Sequence, residues 1–101
     1  MYARRVVVAA SVGLHARPAA LVARRAAEQG AAVSIAKVVD GTPGDAVSAA
    51  SMLGLMTLAA GHGDEVELSA DGDGAREAVD ALVAVIELDP DAEEAAVQQP
   101  S

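Results

Sequence analysis

One aromatic side chain, Tyr2, is all that 101 residues provide, although 52% of them are apolar and neither Phe nor Trp occurs. Most of the apolar residues are Ala and Val, so the core must be assembled from many small aliphatic contacts. Such residues suit helices lying close on a sheet. They do not suit a pocket for a flat cofactor or a base-stacking surface for nucleic acid, both of which draw on rings. The length is that of one domain, and a domain this small removes roughly two-thirds of its unfolded surface from water.

The periodicities divide the chain into seven elements. RRVVVA at 4–9 is β-branched and short, and reads as a strand. Ser11 and Gly13 interrupt it. From His15 to Gln29 the pattern becomes helical, with Leu14, Pro18, Leu21, Val22 and Ala26 at three- and four-residue steps and Gly30 as the expected C-terminal cap. Residues 31–39 form a second strand. DGTPG at 40–44 makes a turn, and a short third strand is expected around Asp45 to Val47. The apolar run MLGLMTL follows Ser48 and Ser51, one of which caps a short helix with exposed apolar side chains. EVELSA at 65–70 alternates strictly and is the clearest strand. Ala75, Ala78, Val79, Leu82, Val83 and Ile86 then form a helical stripe. Strands that return by hairpin, with helices between the others, point to an antiparallel sheet with helices on one face, in the α+β class. Residues 1–88 read as one domain and 89–101 as an acidic tail with no apolar period, expected to be disordered.

The formal net charge of −8, fifteen carboxylates against seven Lys and Arg, opposes binding of a polyanion through overall electrostatics. The distribution is uneven, however. Arg4, Arg5, Arg17, Arg24 and Arg25 lie in the first quarter while acidic residues gather after Asp64, so the N-terminal part alone can attract an anion. Arg24 and Arg25 read as a solvated helix face available for docking. No cysteine is present, which excludes disulfides. Arg4 and Arg5 before the apolar run 6–14 imitate a signal peptide. That run is short, carries Ser11 and Gly13, and leads into His15 and Arg17 rather than a cleavage site. No stretch approaches the roughly twenty apolar residues of a membrane span. A cytoplasmic protein is expected.

The string SVGLHARPAALVARRA sets His15 at a glycine-loosened junction between a strand and a helix N-terminus. Unpaired amides at a helix start, with the partial positive charge there, favour an anion. Pro18 costs little in the first turn, where its missing N–H has no intrahelical partner. It also biases Arg17 away from helical angles, so His15, Ala16 and Arg17 all remain open as the cap. In each register the donors near the imidazole are the amides of Ala16 and Arg17 and the Arg17 guanidinium. An imidazole with an ordinary pKa of about 6.5 is largely neutral at pH 7, and a ring nitrogen can attack phosphorus. The same donors then hydrogen-bond the transferred phosphoryl oxygens. No other nucleophile of this kind and no cluster with metal-ligand spacing occurs in the sequence. His62, between two glycines, reads as a solvated loop residue.

GLHARPAALV together with SMLGLMTL, in order and some 35 residues apart, resembles the HPr family of histidine-containing phosphocarriers of the bacterial sugar phosphotransferase system, over residues 4 to about 88. The resemblance implies an open-faced sandwich, a four-stranded antiparallel sheet covered on one face by three helices. It implies that His15 is phosphorylated on Nδ1 by phospho-enzyme I, which draws on phosphoenolpyruvate, and donates to enzyme II A-components, with Arg17 assisting the phosphate. Such a protein is a covalent carrier and not an enzyme, monomeric, without cofactor or metal, binds no nucleic acid and does not insert directly into a membrane. Ser51 matches a serine that a regulatory kinase and phosphatase act on in relatives. A helix cap is the favoured reading of Ser51, and Ala50 stands where a basic residue often precedes that serine. The docking face implied is Ala16, Ala20, Met52, Leu53 and Met56. The loop at 38–46 is longer than the family's usual one. Two alternatives remain open: a regulatory HPr-like binding protein acting through the Ser51 region, and a phosphocarrier serving a dihydroxyacetone kinase or a nitrogen-related pathway.

Overall fold

The computed structural model describes residues 1–9 and 16–87, which fold as β1 (Tyr2–Val7), α1 (Ala16–Ala27), β2 (Val33–Val39), β3 (Thr42–Pro43), β4 (Val47–Ser48), α2 (Met52–Thr57), β5 (Glu65–Ala70) and α3 (Ala75–Glu87). The strictly alternating segment lies inside the sheet. β5 runs antiparallel to β1 on one side, Val6 opposite Val66, and to β2 on the other, Ile35 opposite Leu68. The far edge of β2 is shared by two short pieces, β3 beside Val38 and Val39 and β4 beside Ser34 and Ile35. Four strand positions therefore hold five segments, and the outermost is broken.

The break has a local cause. Asp40 and Gly41 both take positive φ, 52° and 80°, the geometry of a two-residue type I′ turn whose twist matches antiparallel strands. The chain thus returns already at Thr42, earlier than the strand expected around residues 45–47. Pro43 then has no N–H for the ladder. Gly44 donates its own N–H to the Lys37 carbonyl (2.8 Å), and pairing resumes at Val47.

Alternation separates the two faces of the sheet. Val6, Val8, Val33, Ile35, Val66, Leu68 and Ala70 join Ala19, Val22 and Ala26 of α1, Leu55 of α2 and the stripe of α3 in one buried cluster. All six stripe residues read from the sequence are buried. On the opposite face Arg5 pairs with Glu67 across the β1–β5 ladder (3.0 Å). Two readings of α1 need correction. Leu21, counted in its apolar stripe, is 38% exposed, because the buried face runs through Pro18, Ala19, Val22 and Ala26. The helix also stops at Ala27. Its last turn closes by tighter bonds, Glu28 N–H to the Arg25 carbonyl and Gln29 N–H to the Ala26 carbonyl (both 3.2 Å), and Gly30 takes no left-handed cap conformation.

Two contacts hold the periphery. The Tyr2 hydroxyl donates to Asp80 of α3 (2.9 Å) and Arg4 Nη1 lies 3.1 Å from the same oxygen. The one aromatic ring thus ties β1 to α3 rather than filling the core. The Tyr2 hydroxyl first, and Arg4 after it, hold the Asp80 carboxyl below the usual carboxylate range. At the end of α2, Ala59 sits at φ 55°, a left-handed position just past the C-cap Leu58 where glycine is the usual occupant.

Each contact gives a test. A carboxylate with a lowered folded pKa contributes stability above its unfolded value of about 3.9 and loses it as pH falls through the folded value. Tyr2→Phe is expected to move the Asp80 midpoint, followed by carboxyl carbon shifts, up toward the ordinary value. The stability gap between variant and wild type, from urea unfolding, is expected to narrow between about pH 7 and about pH 3. Ala59→Gly relieves the left-handed alanine and is expected to raise unfolding stability by up to about 1 kcal/mol, read as a higher urea midpoint at constant slope.

Candidate functional site

The end of β1 is fastened from three directions. Val8 donates its N–H to the Asp64 carbonyl (2.9 Å) and accepts from the Gly63 N–H (3.0 Å). Ala9 donates to the Ile86 carbonyl near the end of α3 (3.2 Å), and its own carbonyl accepts from His62 Nδ1 (3.2 Å). The loop that supplies these partners is itself closed. Asp64 Oδ2 accepts from the Gly61 N–H (2.8 Å), and Lys37 Nζ of β2 lies 3.5 Å from that oxygen and 3.4 Å from the Ala59 carbonyl. The Gly61 N–H, then the charge of Lys37, keep the Asp64 carboxyl below the ordinary carboxylate range. His62 is exposed as a loop residue should be, yet its ring is engaged. No spacing rule in the sequence joins position 62 to position 9, and this contact was not foreseen.

His15, with the rest of 10–15, lies outside the described residues, as does the tail 88–101. The helix that follows His15 in the chain is described from Ala16, which places Ala16 and Arg17 within α1 rather than at its cap. The first N–H groups of any helix lack intrahelical acceptors. Pro18, buried in this first turn, brings none. Arg17 is exposed in the same turn, and Arg24 and Arg25 are exposed in the last, where cations complement the helix dipole.

Beside α1 packs α2. Its start is set by Ser51, whose Oγ accepts from the Gly54 N–H (3.0 Å); of the two serines considered, Ser51 is the cap. Ser48 instead accepts from the Ala50 N–H (3.2 Å). Gly54 sits in a tight place: a Cβ there would lie 3.2 Å from Ser51 Oγ and 3.3 Å from the Val47 side chain, so these neighbours would have to give by a few tenths of an ångström. The helix splits its apolar residues. Leu55 is fully buried, whereas Met52 is 40% and Leu53 75% exposed and Met56 is half-buried against the core. On α1, Ala20 is half-buried and Leu21 exposed. Two packed helices thus present exposed apolar side chains alongside the arginines of α1, the composition of a protein-contact surface; methionines there adapt to more than one partner. Among the described residues no cluster of His, Cys, Asp or Glu could hold a metal ion, and no helix is long and apolar enough to cross a membrane.

Comparison with known proteins agrees with this geometry. The family model for the phosphotransferase-system HPr component phosphorylation site matches residues 2–88. The phosphocarrier protein HPr of Streptomyces coelicolor is 44% identical over 86 residues, covering 85% of this chain and 88% of that protein. The HPr-like protein Crh of Halalkalibacterium halodurans is 39% identical over 87 residues, 86% of this chain and 98% of its own. The crystal structure of a phosphocarrier protein HPr from Bacillus anthracis superimposes with a TM-score of 0.74 at 39% identity, covering 84% of this chain and 95% of that one. The open-faced antiparallel sandwich with three helices is the fold of these relatives.

The division within α2 is directly testable. Leu55→Ala is expected to lower unfolding stability by about 2–5 kcal/mol, and Leu53→Ala to change it by no more than about 0.5 kcal/mol. Urea titration of both variants reads the difference.

Proposed function

The chain belongs to the HPr family of the phosphotransferase system, and we propose that it is a phosphocarrier, acting as a monomer in the cytoplasm, that takes a phosphoryl group from phospho-enzyme I on His15 and gives it to enzyme II A-components. The observation that carries this reading is the GLHARPA run, which ends in the first turn of α1 within a chain matched almost throughout by the phosphorylation-site family. In the forward step Nδ1 of the neutral His15 imidazole bonds to phosphorus while the bond to the donor breaks, and that electron pair leaves with enzyme I. The ring becomes a phosphoimidazole. The amides of Ala16 and Arg17 and the Arg17 guanidinium then stabilise its added negative charge. The second transfer is the same displacement with His15 as the leaving group. Transfer of this kind asks of the protein position and charge rather than covalent chemistry, which suits a shallow surface site completed by whichever partner docks. The docking face we assign is Ala16, Ala20, Met52, Leu53 and Met56, joined by Leu21.

A second reading concerns Ser51. Its hydroxyl caps α2 beside Met52, and a phosphoryl group there would place negative charge on the face that meets partners. The likeness to an HPr-like protein as well as to HPr favours keeping this reading. His15 and Arg17 are both present, and a purely regulatory protein would require neither.

Incubation with enzyme I and labelled phosphoenolpyruvate tests the assignment. The expected product is an acid-labile, alkali-stable phosphoprotein, absent in His15→Ala and retained in Ser51→Ala. Arg17→Ala should slow transfer by about tenfold or more with the fold intact; an unchanged rate removes Arg17 from the site.

A further inference from the structure

We infer that His62 is a positioning residue for phosphoryl transfer: its Nδ1–H holds the Ala9 carbonyl and so sets the direction in which the chain leaves β1 on its way to His15. The inference rests on the phosphocarrier reading. Its basis is an arrangement of backbone and ring that the fold alone does not require. Val8 is already secured on both its N–H and its carbonyl by Asp64 and Gly63, and the Ala9 N–H by Ile86. The Ala9 carbonyl is the next group along the chain, and the one protein group it meets among the described residues is the His62 ring, at 3.2 Å. His62 contributes no buried packing, being exposed between Gly61 and Gly63. Gly63 takes φ 87°, which favours glycine, and Asp64 bonds back to Gly61. The loop therefore keeps its shape without the imidazole, and the imidazole is carried to Ala9 by it.

Six residues separate Ala9 from Ala16. A hydrogen bond to an exposed carbonyl replaces one to water and adds little to global stability. Its effect falls instead on the placement of the acceptor, where small displacements change transfer rates strongly. The bond also fixes the ring chemically. A carbonyl can only accept, so Nδ1 must carry the proton and Nε2 of the neutral ring is the open nitrogen. Free imidazole side chains favour the opposite tautomer, which makes the bond visible.

Three variants of the full chain separate this role from a structural one. Asn places its amide nitrogen where histidine has Nδ1, and Gln places it where histidine has Nε2. With phospho-enzyme I as donor, His62→Ala and His62→Gln should lower the turnover of transfer about three- to tenfold with KM and melting temperature nearly unchanged, and His62→Asn should restore the wild-type rate. Long-range nitrogen–proton correlation on the wild-type protein should show neutral His62 protonated on Nδ1. Equal rates in all three variants, equal losses in all three, a change confined to KM, or the Nε2-protonated form would each overturn the inference while leaving His15 as acceptor. A wild-type chain that takes no label would overturn both it and the phosphocarrier reading.

Discussion

Close packing of small side chains in one aliphatic core is the constraint on which the rest of this structure depends. With no Phe or Trp to fill distance, α3 lies directly on β1 and β5, and α1 packs against α2 and α3. Ala19 and Ala26 of α1 and Ala75 and Ala78 of α3 are all buried in the cluster that also holds Val66, Leu68 and Ile35. Larger side chains fill the spaces between, Val22, Leu55, Val79 and Leu82 among them. Dense packing of small residues leaves little tolerance for a change of volume in either direction. The one ring stands at the margin of this core, half-buried against it, where Tyr2 bonds Asp80 and is overlain by the Arg76 guanidinium, 5.8 Å from its centroid.

The same tightness brings three connections to one end of the molecule. Gly54 allows α2 to lie against Val47 of the broken edge strand. The loop after α2 is held to β2 through Lys37 and to the exit of β1 through Gly63, Asp64 and His62. The helix proposed to receive partners and the strand that precedes the proposed phosphoryl acceptor in the chain are thereby joined by one short, internally bonded loop.

What could be read from the sequence follows the strength of the local signals. The β5 alternation and the α3 stripe each rest on a pattern within one element, and each is found where the pattern put it, while the cap of α2, open between Ser48 and Ser51 in the sequence, falls on Ser51. The GLHARPA run carries the proposed chemistry because it combines a nucleophile, a cation and a helix start within a few residues, and its His15 lies outside the described residues. Leu21 misled because hydrophobicity outweighed angle: the buried face of α1 is met by the smaller Ala19 and Val22, and the leucine is exposed. The broken edge strand was obscured by DGTPG, in which a two-residue I′ turn and a proline act in succession yet look like one loop. The Ala9–His62 bond joins residues 53 apart through a loop and a strand end. Such a contact exists only once the tertiary fold does, and no local pattern encodes it.

The charge pattern also resolves on folding into two kinds. A chain of net charge −8 repels anionic partners at long range, so whatever recognises a phosphoryl group or an acidic partner must act at short range, within about a Debye length of 8–10 Å. Of the five arginines in the first quarter, Arg4 and Arg5 are committed to Asp80 and Glu67 and serve to align β1 with α3 and β5. The other three are carried by α1, Arg17 exposed in its first turn and Arg24 and Arg25 exposed in its last, with Arg25 Nε 3.7 Å from Glu28. Three cations on the helix that follows His15 keep attraction for an anion local in a chain whose remainder is acidic. The net charge and the proposed chemistry are for that reason compatible, since short-range attraction at one helix does not depend on the sign of the whole chain.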